Sequence, residues 1–167
     1  VFPPKISKQQ SDACYKKRLI TTFDEQLDSV LSKLEPVQDI DAIAWTMTDE
    51  NYSHDMIHDV WEMNNEIVGF RNAFFFLALD EFTLKLACEH GYPVVAAHGL
   101  IQGNNKTEAG NEEGLKELVQ STKFIISRAL VDKGRNFFFY EMDCWFLRSP
   151  LKKLRQQSAD YLVSAHQ

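Results

Sequence analysis

Between Asn72 and Asp80 the chain reads AFFFLAL, with no polar side chain from Ala73 to Leu79. A run this short and this apolar is a strand buried on both faces, the kind that parallel sheets use. It is the longest uninterrupted apolar stretch in the chain and far too short to span a bilayer. Whatever surrounds it must cover it above and below.

The flanking segments supply that cover. Ile40–Met47 reads as a strand, and 53–67 as a helix with Ile57, Val60, Trp61 and Asn64 on one side. The strand 74–79 ends at Asp80, and 81–90 is a helix stopped by Gly91. Pro93–Ala97 is a third strand, followed by a polar loop over 98–111. A longer helix carries Leu115, Leu118, Val119, Thr122, Ile126, Ala129 and Leu130 on its stripe, with Gly134 past its end. Phe137–Tyr140 is the fourth strand and Tyr161–Ala165 a fifth. Upstream, Thr22 and Glu25 form a capping box for a helix with Phe23, Leu27, Leu31 and Leu34 on one stripe, closed by Pro36. Residues 1–18, with Pro3-Pro4 and many polar side chains, read as an arm or linker, which leaves 19–167 as one α/β domain. Alternation of strand and helix predicts an open, mainly parallel sheet with right-handed crossovers and helices on both faces.

Such sheets bind ligands outside the carboxyl ends of their strands. Thr46, Asp80 and the run Glu141-Met142-Asp143 fall there. Alternation in an extended segment turns Glu141 and Asp143 the same way. Two such carboxylates repel unless one is protonated or a hard cation joins them. Mg²⁺ or Mn²⁺ accepts one or two carboxylates and takes its other ligands from phosphates and water. An acidic turn facing solvent, with Arg148 as a surface partner, is the plainer alternative. The aromatic strand NFFFY leading into the pair narrows the gap between them.

Other chemistries find less support. The net charge of −6 argues against nucleic acid, whose binding needs a basic face. No Gly-x-Ser-x-Gly elbow, phosphate loop or Gly-x-Gly-x-x-Gly is present. His54 and His58 stand four apart on a helix but lack a third ligand, so they read as a solvated face. His90 suits a helix C-terminus. Cys14, Cys88 and Cys144 are neither a disulfide framework nor a zinc site by count and spacing, and Cys88 and Cys144 read as small buried hydrophobes. Two sequons, at Asn51 and Asn105, permit a secretory address without requiring it.

The segment STKFIISRALVDKGRNFFFYEMDCWFLRSPL resembles the nucleotide-diphospho-sugar transferase family of A-type, Rossmann-like glycosyltransferases. That family carries a lysine-bearing helix, an apolar strand, an Asp-x-Asp motif, an aromatic residue, Leu-Arg and then Ser/Asp-Pro. NAFFFLALDEFTLKLACEHGYPVV is similar to the preceding family segment and ADYLVSAHQ to the next strand, so the likeness runs from about residue 39 to the end. It implies transfer of a sugar from a nucleotide-diphosphate donor to a glycan or protein acceptor, with Mn²⁺ or Mg²⁺ held by Glu141, in place of the first Asp, and Asp143. It also implies that Thr46, Thr48, Asp80 and Lys123 line the nucleotide-sugar site. Relatives have another Asp where His166 stands. Their fold continues into an acceptor-binding half, expected to lie outside this chain, and their address is the Golgi or endoplasmic reticulum lumen. A non-catalytic half-domain, kept as a scaffold subunit of a larger assembly, is the other reading.

Overall fold

The computed structural model describes residues 5–38, 40–97 and 112–156, and of 112–118 only the backbone. The expected polar loop over 98–111, the expected strand at Tyr161–Ala165 and His166 lie outside the described residues.

The central sheet has four strands: β1 (Ala42–Thr48), β2 (Phe74–Ala78), β3 (Val94–Ala96) and β4 (Asn136–Phe139). Their order is β3-β2-β1-β4, and every pairing is parallel. The expected open parallel sheet is therefore present, with each strand within two residues of its predicted bounds. Every residue of β1, β2 and β3 is buried, which accounts for their continuous rather than alternating apolarity. Register sets Ala44 beside Phe74 and Trp45 beside both Phe75 and Phe139.

Even and odd positions face opposite layers. On one side Trp45 packs against Phe75 and Phe139, with ring centroids 6.3 and 4.5 Å apart. On the other, Phe74 and Phe76 meet Trp61, and Phe138 stacks on Phe70 at 5.6 Å. The even layer is covered by α3 (Glu50–Asp59), a π-helical turn Val60–Asn64, α4 (Asn65–Val68) and, beside them, α5 (Glu81–Glu89). A longer helix, α6 (Glu112–Asp132), lies on the odd face and reaches Phe139 through Lys123. Two crossovers carry the chain from β1 to β3, and α6, on the opposite face, leads into β4. The direction of winding thus reverses between β1 and β4.

Helix α2 (Phe23–Leu31) begins with the predicted capping box: Thr22 and Glu25 each accept from or donate to the other's backbone or side chain. The backbone hydrogen bonds from Thr22 hold the Glu25 carboxyl below its usual range. Gln26, fully buried on α2, donates to the carbonyls of Arg18 and Thr21 and accepts from Ala96 N–H, which ties this helix to β3.

Two expectations fail near the N-terminus. Where the polar composition predicts an arm, residues 8–20 form helix α1 (Lys8–Ile20), capped by Ser7 and Gln10 and packed along α5. Cys14 on α1 and Cys88 on α5 form a disulfide, with 5.7 Å between their Cα atoms. Cys88 is buried as expected but bonded, and Cys144 is an exposed free thiol rather than a buried hydrophobe. Spacing does not reveal the pair because 74 residues separate its members; only the antiparallel docking of α1 on α5 brings them together. Polarity hid the helix, since its apolar packing on the core is confined to the adjacent Cys14 and Tyr15, amid mostly polar and charged side chains.

Candidate functional site

The reversal between β1 and β4 creates a switch point, where the crevice of an open α/β sheet usually binds its ligand. β1 brings Thr48 to this edge, and β4 stops opposite Trp45, three positions earlier. Beyond it Tyr140 donates its N–H to the Trp45 carbonyl at 3.4 Å, and the chain turns. Glu141 accepts from Cys144 N–H at 3.0 Å, so Glu141–Cys144 is a tight turn rather than an extended segment. The expected strand alternation therefore does not govern Glu141 and Asp143. The turn buries Met142 at 3% exposure and leaves Asp143 exposed and Glu141 half-exposed.

Something positive does meet one of the carboxylates. Lys123, four-fifths buried on α6, lies over the Phe139 ring with its ammonium 5.4 Å from the centroid and forms an ion pair with Glu141. The aromatic face and the carboxylate together make up for the water the ammonium has lost. Lys123 and Glu141 are thus brought together. Arg148 makes no described contact with either carboxylate.

The remaining predicted residues are placed differently. Thr46 is fully buried in β1, and its hydroxyl has no partner among the described residues. Thr48 is buried at the strand end, where its hydroxyl donates to the Asp49 carbonyl at 3.3 Å. Asp80 caps two helices at once: one carboxylate oxygen accepts from Thr83 N–H at the start of α5, and the other from Glu50 N–H at the start of α3. Asp49, which the motifs do not single out, caps α3 through Asn51 and Tyr52 at the same edge. His54 and His58 part company. His54 pairs with Asp55 in solvent, whereas His58 bonds Tyr92 at 2.8 Å and meets His90 edge-on at 4.4 Å.

Sequence reasoning misses two residues that shape the turn. Asn64, placed on an apolar stripe, and its neighbour Asn65 are both fully buried. Asn64 donates to the Cys144 carbonyl at 3.0 Å and accepts from Phe146 N–H at 3.1 Å. Asn65 accepts from the hydroxyl of Tyr140. Burial raises the pKa of that hydroxyl far above the usual phenol value, so it stays protonated and donating. Further along, Ser149 donates to the Val68 carbonyl, and the strip after the turn descends over the end of α4. It fits there because Gly69 has φ of 87° and no side chain: an added Cβ would lie 2.9 Å from Leu151 Cδ1. A Gly so close to a second segment was the sequence signal available for this docking.

Among the described residues no three His, Cys, Asp or Glu side chains converge on a metal-sized space. The donor set is not a preformed cage. It suits a smaller task, one or two carboxylates sharing a hard ion with phosphate oxygens and water.

A Rossmann-like parallel sheet flanked by helices, with carboxylates on a turn at its switch point, defines an open α/β domain. The match to a family model covers residues 69–167, and the chain belongs to the nucleotide-diphospho-sugar transferase family. Its class of reaction is accordingly glycosyl transfer from a nucleotide-sugar donor. The match begins at Gly69, later than the resemblance read from residue 39, so β1 with Thr46 and Thr48 precedes it. No curated protein and no solved structure matches the chain.

Proposed function

We propose that the protein transfers a sugar from a nucleotide diphosphate to a glycan or protein acceptor, with Mn²⁺ or Mg²⁺ bound between Glu141, Asp143 and the donor's diphosphate. The observation that carries this reading is the Glu141–Asp143 turn at the switch point of a sheet belonging to this family. The ion, when bound, supplies positive charge to the departing diphosphate. Asp143 offers the exposed carboxylate, while Lys123 keeps Glu141 neutralised until a donor arrives and then has an ammonium to offer phosphate. Thr48 and Asp80 shape the floor of the edge, Asp80 by fixing two helix starts. Thr46 supports the floor from below, since its burial keeps it from reaching a nucleotide directly. The Cys14–Cys88 disulfide favours folding in an oxidising compartment such as the secretory lumen.

Calorimetry with UDP- and GDP-sugars tests this. Binding should require Mn²⁺ or Mg²⁺, vanish with chelator, and be lost in Asp143→Ala. Binding indifferent to chelator and to that substitution would refute the metal's role. One observation favours a second reading, a non-catalytic domain acting as an interaction subunit: Glu141 is already ion-paired with Lys123. Absence of any nucleotide-sugar binding by the wild-type protein would decide for it.

A further inference from the structure

Positions 64 and 65 lie on the stripe that α3 and α4 turn towards the sheet, alongside Ile57, Val60 and Val68, all fully buried. A core stripe takes leucine or valine there at no cost, whereas a buried amide is costly unless its hydrogen bonds are made. Here the amides bond neither to each other nor to their own helix. Asn65 meets Tyr140, the residue before Glu141, and Asn64 meets Cys144 and Phe146, on the other side of Asp143. The two side chains hydrogen-bond to residues on both flanks of the carboxylates. The grip is not arranged for stability alone, because Asn65 Nδ2 is buried without a partner among the described residues. The helix also opens at this point into a π turn, with Asn65 N–H reaching Val60 C=O, a distortion found often at functional sites.

We propose that Asn64 and Asn65 are positioning residues that hold the Glu141–Asp143 turn in the orientation needed to share an ion with a donor diphosphate. The inference rests on the function proposed above. It assigns to helix α3–α4, on the face opposite Lys123, control over the geometry of carboxylates that its two amides reach through flanking residues. A side chain serving packing alone would change stability and leave ligand affinity where it was.

The test uses the full chain, with Mn²⁺ plus UDP or GDP as the probe. Affinity is measured by calorimetry, unfolding by thermal melts, and mobility of residues 140–147 by amide hydrogen exchange. Asn64→Leu keeps the branched shape and removes both hydrogen bonds; Tyr140→Phe removes only the hydroxyl that Asn65 accepts from; Met63→Ala, on the exposed side of the helix, is the control. Expected are at least tenfold weaker Mn²⁺–nucleotide binding in Asn64→Leu, a few-fold loss in Tyr140→Phe, and faster exchange at Cys144 and Phe146. Met63→Ala should bind as the wild type does. Wild-type affinity in both variants, whatever their melting points, overturns the inference while the proposed function stands. If Asn64→Leu does not fold, Asn64→Ser and Tyr140→Phe decide by the same criterion. A wild-type chain that binds neither nucleotide with Mn²⁺ refutes the proposed function itself, and the inference falls with it.

Discussion

Removing the Cys14–Cys88 bridge probes how α1 is held. In the reduced chain the helix keeps a backbone bond from Ile6 to Glu89, an ion pair from Lys5 to Glu89, and the Tyr15 hydroxyl on Glu81. The last two lie at exposed positions, where such contacts are worth about 1 kcal/mol or less. Its apolar contribution is confined to Cys14 and Tyr15, and its buried Arg18 leaves Nη1 without a partner among the described residues. The bridge, by contrast, spans 74 residues. Loop-closure entropy for a ring of that size gives about 4.4 kcal/mol at 25 °C, a large share of a domain's total stability. For a chain of 167 residues that corresponds to roughly 10–15 °C in melting temperature. The assay compares thermal melts of the wild type and the Cys14→Ala/Cys88→Ala double variant, with peptide mapping to confirm the bridge. Hydrogen exchange across residues 8–20 should also rise first, because α1 can detach before the sheet opens. A mapped bridge whose loss shifts the melt by less than about 2 °C would refute the reasoning, since a constraint on the unfolded chain cannot be that weak.

Thr22→Ala removes the capping box of α2 and should cost about 1 kcal/mol in denaturant unfolding, with Thr22→Ser near neutral. Burial, and then the neighbouring His90, lower the pKa of His58. A base whose folded pKa lies below its unfolded value loses stability as pH falls through about 6.5 and levels off below the folded pKa. Melts between pH 7.5 and 5 should therefore decline less steeply in His58→Gln than in the wild type, and parallel curves would show that His58 is not a source of the decline. Gly69→Ala meets both a positive φ and the close Leu151 Cδ1, so it should destabilise by about 1–3 kcal/mol, whereas Gly134→Ala, with nothing within 4 Å, meets only the φ penalty and should cost less.

The sheet is legible because its cause is local. Three runs buried on both faces must be mostly apolar, and β2 and β3 are apolar throughout, while β1 departs from this only at Thr46 and Thr48. Helix ends are legible for the same reason: Thr22 with Glu25, Asp80 before α5 and Gly91 after it act within four residues of themselves. What the sequence conceals is every feature that depends on two distant segments meeting. α1 is polar enough to read as an arm: its Ser7–Gln10 capping box is local, but its docking on α5 is not.

The candidate site divides along the same line. The carboxylates and the lysine are visible as residue types, and the pairing of Lys123 with Glu141 follows from α6 crossing the face that carries Phe139. Their geometry is not visible, because Glu141–Cys144 closes a turn where alternation predicts an extended segment. Tyr140, Cys144 and Phe146, which flank and follow the carboxylates, are also held by hydrogen bonds to Asn65 and Asn64 from the layer opposite α6. In the sequence those two amides look like flaws in an apolar stripe. A polar residue at a core position carries information when its partners lie outside its own helix, since the cost of burying it is then met by ordering another segment. Here that other segment carries Glu141 and Asp143, so the stripe's two irregular positions and the acidic turn belong to one device.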